Sequence, residues 1–204
     1  MYNSQQKEDE YLHKKFLNYK NGFFIELGGM DGIKFSNTLF FENVLGWSGV
    51  LIEPTEQYHQ MVINRPKCHN FKYAVSEIEG EVIFVGDDAL GGIYESMSNQ
   101  HYIGWGLDKK QKYSVESKPI NKILKDINIE RVDFFSIDVE GGEYEVLSTF
   151  DWSIPVYVVL IELSFEEEKN IKNRDFLISK GFTFDNNIGC NEVWINLNNK
   201  KNEN

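Results

Sequence analysis

The chain has 204 residues, of which 32 are acidic and 21 are lysine or arginine, so its formal net charge is -11. That length suits one domain. We predict a single domain over residues 1–204, with an N-terminal helix within 1–20 and a disordered tail at 198–204. A surface of this charge repels phosphate backbones, so we expect no nucleic-acid partner.

The sequence also argues against membrane segments and cysteine-based sites. No apolar run approaches the roughly 20 residues that cross a bilayer, and the first 20 residues lack the apolar stretch of a signal peptide. The two cysteines, Cys68 and Cys190, have neither the number nor the spacing of a disulfide framework or a zinc site. We therefore expect a cytoplasmic protein without a membrane span, and the oligomeric state stays open.

Apolar runs and helical spacing alternate along the chain. Short apolar runs predict strands at 23–27, 49–53, 71–75, 81–85, 132–137, 156–161, 182–184 and 192–195. Helical spacing predicts helices at 4–19 (with Ser4 as N-cap), from 36 or 37 to 45, and at 56–64, 120–127, 142–150 and 165–180. This alternation is typical of an α/β fold with a mostly parallel sheet, helices on both faces and an antiparallel edge.

Four of the predicted strands carry a carboxylate at or near their carboxyl ends: Glu26, Glu53, Asp138 and Glu162. In open α/β sheets the ligand crevice lies outside the carboxyl ends of the strands, so these acids should converge on one edge. A carboxylate beside buried strands is unfavourable unless it is paired or hydrogen-bonded. We therefore predict a negatively lined ligand pocket.

The loop after the first strand separates candidate ligands. Its sequence, residues 26–32, has Met30 where the dinucleotide fingerprint needs its second glycine, and the chain contains neither a phosphate loop nor a hydrolase elbow. A cationic ligand with a ribose fits the acids better, and S-adenosylmethionine is such a ligand. Glu53 stands where ribose hydroxyls are bound, and Ser36, Asn37 and nearby amides could receive the ligand carboxylate.

Several ordered motifs resemble the FkbM family of S-adenosylmethionine-dependent methyltransferases, from Ser4 to about Leu197. The similar segments are 22–32, 36–38, 46–54, 64–66, 74–76 with Gly80, and 132–147, which contains Ser-Ile-Asp-Val-Glu-Gly at 136–141. The chain departs from the family at Gly29, where alanine is usual, and the segment 87–115 does not align. The resemblance implies a Rossmann-like class I methyltransferase fold with a mostly parallel seven-stranded sheet.

The resemblance also implies site residues and an activity. The amino-acid end of the cofactor is expected at Glu26, Gly28, Gly29 and Asp31, assisted by Ser36 and Asn37. Glu53 should hold the ribose, and Ala74, Val75 and Ser76 should border the adenine. Members of the family mostly methylate hydroxyl oxygens, so O-methylation of a sugar, glycan or glycoside is the implied reaction.

A hydroxyl acceptor loses its proton as the methyl bond forms, so we expect carboxylates to activate it. Asp138 is the candidate general base, with Glu140 and Glu162 beside it. Alternatively, Asp138 and Glu162 ligate Mg²⁺ or Mn²⁺, which prefers oxygen ligands and acidifies a bound hydroxyl. The sequence leaves both forms open, and it predicts that Glu143 is an exposed helix acid.

The glycine-rich segment 89–106 could form a lid over the substrate, and we predict that Tyr94, Tyr102 and Trp105 contact it. Two other functions stay open at this point. The chain could be a module that binds the cofactor without catalysis, or a methyltransferase for a small molecule other than a sugar. A nicotinamide oxidoreductase is disfavoured because Met30 breaks the glycine pattern.

Overall fold

The computed structural model of the protein describes residues 1–201, and the last part of the predicted tail, 202–204, lies outside the described residues. The beginning of that tail is part of the fold, contrary to the prediction. Leu197–Asn199 forms a short 3₁₀ helix, and the Asn199 side-chain amide donates to the Val156 carbonyl at 3.0 Å.

The elements follow the predicted alternation. The helices are α1 Glu8–Lys15, α2 Leu39–Leu45, α3 Tyr58–Asn64, α4 Asn99–Gly104, α5 Ile120–Leu124, α6 Glu143–Thr149 and α7 Glu167–Ser179. The strands are β1 Phe23–Leu27, β2 Ser48–Ile52, β3 His69–Phe71, β4 Ala74–Val75, β5 Gly80–Val85, β6 Gly92–Ile93, β7 Lys112–Lys118, β8 Val132–Ile137, β9 Val156–Glu162, β10 Thr183–Ile188 and β11 Asn191–Ile195.

The main sheet has seven strands in the order β10-β11-β9-β8-β1-β2-β3. All neighbouring pairs are parallel except those of β11, which runs antiparallel to both β9 and β10. The central strand β8 is buried along its whole length, as its apolar sequence predicts for a strand covered on both faces. The predicted mostly parallel seven-stranded sheet with an antiparallel edge is confirmed.

Helices cover both faces of this sheet. On one face a buried apolar cluster includes Val146 of α6 and Leu177 of α7. On the other face a second cluster includes Leu12 of α1, Phe41 of α2 and Met61 of α3. The carboxyl ends of the parallel strands are left as the edge at which a ligand can bind.

The predicted strand 71–75 is wrong because the chain leaves the main sheet within it. His69–Phe71 pairs with β2, whereas Ala74–Val75 pairs with β7 in a second sheet of order β4-β7-β5-β6. The segment 87–115 supplies β6, α4 and much of β7. Each of these elements is short or exposed, so its sequence carries little hydrophobic periodicity.

The predicted helix 4–19 begins later than expected, at Glu8, and Ser4 is not its N-cap. The Asp9 carboxylate accepts hydrogen bonds from the Asn3 amide at 2.6 Å and the Ser4 hydroxyl at 2.6 Å. These contacts hold the preceding residues in a non-helical turn. Within residues 1–201, none of the helices has the length and apolar character needed to cross a membrane.

Candidate active site

A cavity of about 440 Å³ lies at the carboxyl ends of β1, β2, β8 and β9. Its lining includes carboxylates from all four strand ends, so the convergence that the sequence predicts is present. The predicted site residues that line the cavity are Glu26, Gly28, Asn37, Glu53, Ala74, Val75, Trp105, Asp138, Glu140 and Glu162.

The Glu26 carboxylate is bound by the start of α2. It accepts hydrogen bonds from the Asn37 amide at 2.6 Å, from the Ser36 hydroxyl at 2.9 Å and from the Thr38 hydroxyl. The fully buried guanidinium of Arg65 lies 3.8 Å away and is also paired with Glu42. The carboxylate therefore takes the place of a ligand anion at the helix start, where backbone amides favour negative charge.

Glu53 is held in a similar way, immediately after β2. One of its oxygens accepts from the Met30 amide at 2.9 Å, and the other accepts from the amide and hydroxyl of Thr55 at 2.8 and 2.6 Å. These bonds tie the loop after β1 to the end of β2. Glu53 is 97% buried yet lines the cavity. Because these hydrogen bonds fix both oxygens, the remaining lone pairs are held in place to accept hydrogen bonds from a ligand.

Gly28 brings the loop after β1 against the end of β8. Its φ is +74°, and a Cβ atom at this position would lie 2.4 Å from the Asp138 carbonyl oxygen. A side chain would therefore separate the cofactor loop from the strand that carries Asp138. Here glycine is required by both conformation and close approach.

Four predicted cofactor residues support the cavity wall instead of lining it. The Gly29 backbone packs on Met61, and the Asp31 carboxylate accepts from the amides of Ile33 and Lys34 in a local turn. The Ser36 hydroxyl caps α2, where it accepts from the Leu39 amide, and the Ser76 hydroxyl accepts from the Ile78 amide. These four residues therefore lie outside the cavity lining.

Two groups at the same end of the cavity suit the polar end of S-adenosylmethionine. Asn37 is 91% buried and lines the cavity, and its Oδ1 has no hydrogen-bond partner within residues 1–201. Lys34, which the sequence analysis missed, is exposed and also lines the cavity, and its ammonium group lies 4.9 Å from the centre of the Phe35 ring. The unpaired Asn37 Oδ1, the Glu26 carboxylate and the Lys34 ammonium group together can pair with both charged groups of an amino acid.

The carboxylates of Asp138, Glu140 and Glu162 form a cluster, with oxygen atoms that all lie within 4.8 Å of one another. Burial raises the pKa of Asp138 to about 6, and the charges of Glu26 and Glu8 add to this shift. Burial and repulsion by Asp138 raise the pKa of Glu140 to about 9 and that of Glu162 well above its ordinary value. Glu140 also has a φ of +57°, which is uncommon for a residue with a side chain. Such strain and raised pKa values are typical of functional sites.

His101 of α4 connects the segment 89–106 to this cluster. Its Nδ1 lies 3.3 Å from Glu140 Oε2, and its Nε2–H donates to the Leu90 carbonyl at 3.0 Å. The imidazole is 95% buried and lines the cavity. The sequence analysis placed His101 only in a possible lid, because a contact between two residues that are distant in sequence leaves no local pattern.

Of the three aromatic residues predicted to contact the substrate, one lies in the cavity lining. Trp105 lines the cavity with its side chain 55% exposed. Tyr94 and Tyr102 are outside the lining and pack edge to face at 5.2 Å, with Lys112 Nζ 3.0 Å above the Tyr94 ring. The lysine covers the Tyr94 ring, and contact of the three aromatic residues with substrate stays a prediction.

The prediction that Glu143 is exposed is also wrong. Its side chain is 99% buried, Oε1 accepts from the Gly141 amide at 2.9 Å, and burial raises the pKa of the carboxyl to about 7. The N-terminal residues Gln5, Gln6 and Glu8 line the cavity as well, and the sequence analysis missed them. The acid-rich start of α1 resembles an ordinary solvated helix start, so no local signal identified them.

The fold and the acid-lined cavity together define a methyltransferase of the Rossmann-like class. A model of the methyltransferase FkbM domain matches residues 26–184, which include the cavity-lining acids Glu26, Glu53, Asp138 and Glu162. The chain therefore belongs to the FkbM family of S-adenosylmethionine-dependent methyltransferases. None of the curated proteins compared with the chain matches it.

Solved structures similar to the chain are also methyltransferases, at low identity. A putative RNA methyltransferase from Pyrococcus horikoshii is 12% identical, with 96% of this chain and 83% of that chain covered and a TM-score of 0.49. A SAM-dependent methyltransferase from Aquifex aeolicus is 12% identical, with coverage of 93% and 90% and a TM-score of 0.47. M. capricolum TrmK, solved with S-adenosyl-homocysteine, is 9% identical, with coverage of 92% and 65% and a TM-score of 0.47.

Proposed function

We propose that this methyltransferase transfers a methyl group to a hydroxyl oxygen of a sugar, glycan or glycoside. The observation that carries the proposal is the cluster of Asp138, Glu140 and Glu162, which borders the same cavity as the cofactor-loop residues. A hydroxyl is a weak nucleophile until its proton is removed. A carboxylate beside the methyl donor supplies the missing base.

The cofactor end of the cavity is built for the methyl donor. We assign Glu26 and the free Asn37 Oδ1 to the ammonium group, Lys34 to the carboxylate, and Glu53 to the ribose hydroxyls. Ala74 and Val75 provide the apolar surface for the adenine. When it is bound, S-adenosylmethionine supplies an electrophilic methyl group on a sulfonium, whose positive charge the acidic cavity favours.

Asp138 is the proposed general base. It lies at the carboxyl end of β8, and its pKa of about 6 leaves it ionised near neutral pH and able to accept a proton. Glu140, with its pKa of about 9, holds a proton and so limits the repulsion around Asp138. His101 holds Glu140 at the side of the cavity, which keeps the cluster in one arrangement.

The charge of the cavity supports a neutral acceptor. Acidic side chains dominate its polar lining, so phosphate or carboxylate groups on an acceptor would be repelled. Hydroxyl groups can donate to carboxylates without this penalty, and the exposed indole of Trp105 offers an apolar face to a sugar ring. The exclusion of nucleic acid stays a prediction that follows from the same charges.

Incubation of the protein with isotope-labelled S-adenosylmethionine and a panel of free sugars and glycosides tests the proposal. The expected result is a mass gain of one methyl group on a hydroxyl of at least one neutral compound. Transfer only to non-sugar hydroxyl compounds would narrow the function to another small molecule. Binding of S-adenosylhomocysteine by calorimetry without transfer to any compound would refute the proposal and favour a non-catalytic binding module.

The same carboxylates could instead hold Mg²⁺ or Mn²⁺, and a chelator experiment distinguishes the two forms of activation. The proposed carboxylate base predicts that activity is unchanged after treatment with a chelator. Loss of activity that returns when Mg²⁺ or Mn²⁺ is added back would assign Asp138 and Glu162 as metal ligands.

A further inference from the structure

Residues 3–9, which lead into the first turn of α1, form a strap, here called the N-terminal strap, that lines the cavity with Gln5, Gln6 and Glu8. At one end Ser4 makes a parallel bridge with Phe35, which follows the cofactor loop and lines the cavity. At the other end Gln6 contacts Gly189, in the turn between β10 and β11. The strap therefore joins two rims of the cavity that are far apart in sequence.

Specific hydrogen bonds hold the strap in one conformation. Asp9 binds the backbone amide of Asn3 and the hydroxyl of Ser4, both at 2.6 Å. Glu8 Oε2 accepts from the Gln6 amide at 2.8 Å, and Glu8 Oε1 accepts from Asn191 Nδ2 of β11 at 2.9 Å. Both carboxylates are buried, so these bonds give the strap a defined position on the sheet.

Gly189 makes room for the Gln6 side chain. A Cβ atom at this position would lie 0.9 Å from Gln6 Oε1, and the glycine φ of +58° also disfavours other residues. Gln6 Nε2 donates to Cys190 Sγ at 3.7 Å, and that thiol donates to Glu162 Oε1 at 3.6 Å. The strap is thus two contacts away from the carboxylate cluster.

The Gln6 end of the strap lies apart from the residues assigned to the ribose and the adenine. Glu53, Ala74 and Val75 lie at β2 and β4, whereas the strap meets Cys190 beside the end of β9. Gln5 is exposed and lines the cavity, and its side-chain amide has no hydrogen-bond partner among residues 1–201. A carboxamide both donates and accepts, as a hydroxyl group does, and so can pair with hydroxyls in either role.

We infer that the N-terminal strap is the outer wall of the acceptor subsite, where the Gln5 carboxamide binds an acceptor hydroxyl next to the one that is methylated. This inference rests on the proposed function, since it concerns the same acceptor. Gln6 is a positioning residue, which anchors the strap in the space above Gly189. The ligand class is a neutral compound with at least two neighbouring hydroxyl groups.

Replacement of Gln5 by alanine tests the inference with the glycoside that the wild type methylates best. The expected result is a rise of about 3- to 10-fold in the acceptor KM, the effect of one lost hydrogen bond, with the Kd for S-adenosylhomocysteine unchanged. Gln60→Ala is the matched control, because Gln60 is an exposed glutamine of α3 outside the cavity lining. It should leave both constants at their wild-type values.

Gly189→Ala provides a second test that does not alter Gln5. The new methyl group must displace the Gln6 side-chain amide, so the acceptor KM should rise. An unchanged melting temperature would show that the variant is folded, and an unchanged Kd for S-adenosylhomocysteine would show that the cofactor end is intact. An acceptor KM within twofold of wild type in both variants would overturn the inference and leave the proposed function intact. Absence of methyl transfer by the wild type would instead refute the proposed function, and the acceptor role of the strap with it.

Discussion

The two ends of the cavity use the same residue types in opposite electrostatic states. At the cofactor end, Glu26 and Glu53 accept several hydrogen bonds each, and the buried Arg65 adds a positive charge next to Glu26. At the acceptor end, Asp138, Glu140 and Glu162 face one another, and their pKa values are raised. His101 is the neighbouring base that contacts this group, through Glu140.

This difference separates acids that hold the loop after β1 in place from acids that can take part in the reaction. Carboxylates that are satisfied by amides and an arginine hold the cofactor loop in place before any ligand binds. Carboxylates that repel one another destabilise the fold locally, and they are ready to accept a proton or a positive charge from the reaction. Position at the sheet edge alone therefore does not determine the role of an acid.

The largest expected effect is on catalysis at the acceptor end. Asp138→Asn removes the proposed base with little change of shape, so we expect the rate of methyl transfer to fall about 10²- to 10⁴-fold. S-adenosylhomocysteine binding, measured by calorimetry, should persist. Asp126→Asn is the matched control, since Asp126 is exposed and lies outside the cavity lining. Full activity in Asp138→Asn would eliminate both the base and the metal form of activation.

The next largest effect is expected on the free energy of unfolding, which substitutions at the two ends of the cavity should change differently. Glu26→Gln breaks a buried charge pair with Arg65 and weakens the bonds to the start of α2, so it should lower the free energy of unfolding by about 3–5 kcal/mol. Glu162→Gln replaces a buried carboxyl whose pKa is raised by a neutral amide of similar shape, so it should leave the stability unchanged or raised. Urea denaturation of both variants measures this contrast. Equal destabilisation by the two substitutions would show that the ends do not differ electrostatically.

His101 allows a smaller, more selective test. In His101→Asn the side-chain amide can replace Nδ1 and still pair with Glu140, whereas in His101→Gln it can replace Nε2 and reach the Leu90 carbonyl. If orientation of Glu140 matters, kcat should fall about tenfold in the glutamine variant and less in the asparagine variant. The reverse order would mean that His101 acts mainly by anchoring the segment 89–106.

The smallest expected effect is the pH dependence of stability. Glu140 has a pKa of about 9 in the folded protein against an ordinary value of 4.5, so the folded state retains a proton that the unfolded chain has released. Its contribution to stability is complete below pH 4.5 and is lost as pH rises towards 9.

Wild type should therefore lose more thermal stability than Glu140→Gln between pH 6 and pH 9, by about 2–4 °C for each kcal/mol. Melting temperatures of both proteins in one buffer series measure the difference. Parallel curves would contradict the raised pKa of Glu140.

Prediction from sequence succeeded where the signal was local and strong. The strands β1, β2, β8 and β9 lie within about one residue of their predicted bounds. Long apolar runs that end in acids can be recognised from the sequence without knowledge of tertiary contacts. Prediction failed at residues 71–75 and at the start of α1. In both places a tertiary contact overrode the local pattern: pairing of Ala74–Val75 with β7, and capture of Ser4 by Asp9.

The amino-acid sequence by itself determined the α/β alternation, the convergence of acids at one sheet edge and the family. These properties follow from periodicity and from motif order along the chain. The tertiary structure alone decided which acids are paired and which repel, that His101 meets Glu140, and that the N-terminal strap lines the cavity. Burial and partner geometry set the energy of a charge, and both depend on residues that are distant in the sequence.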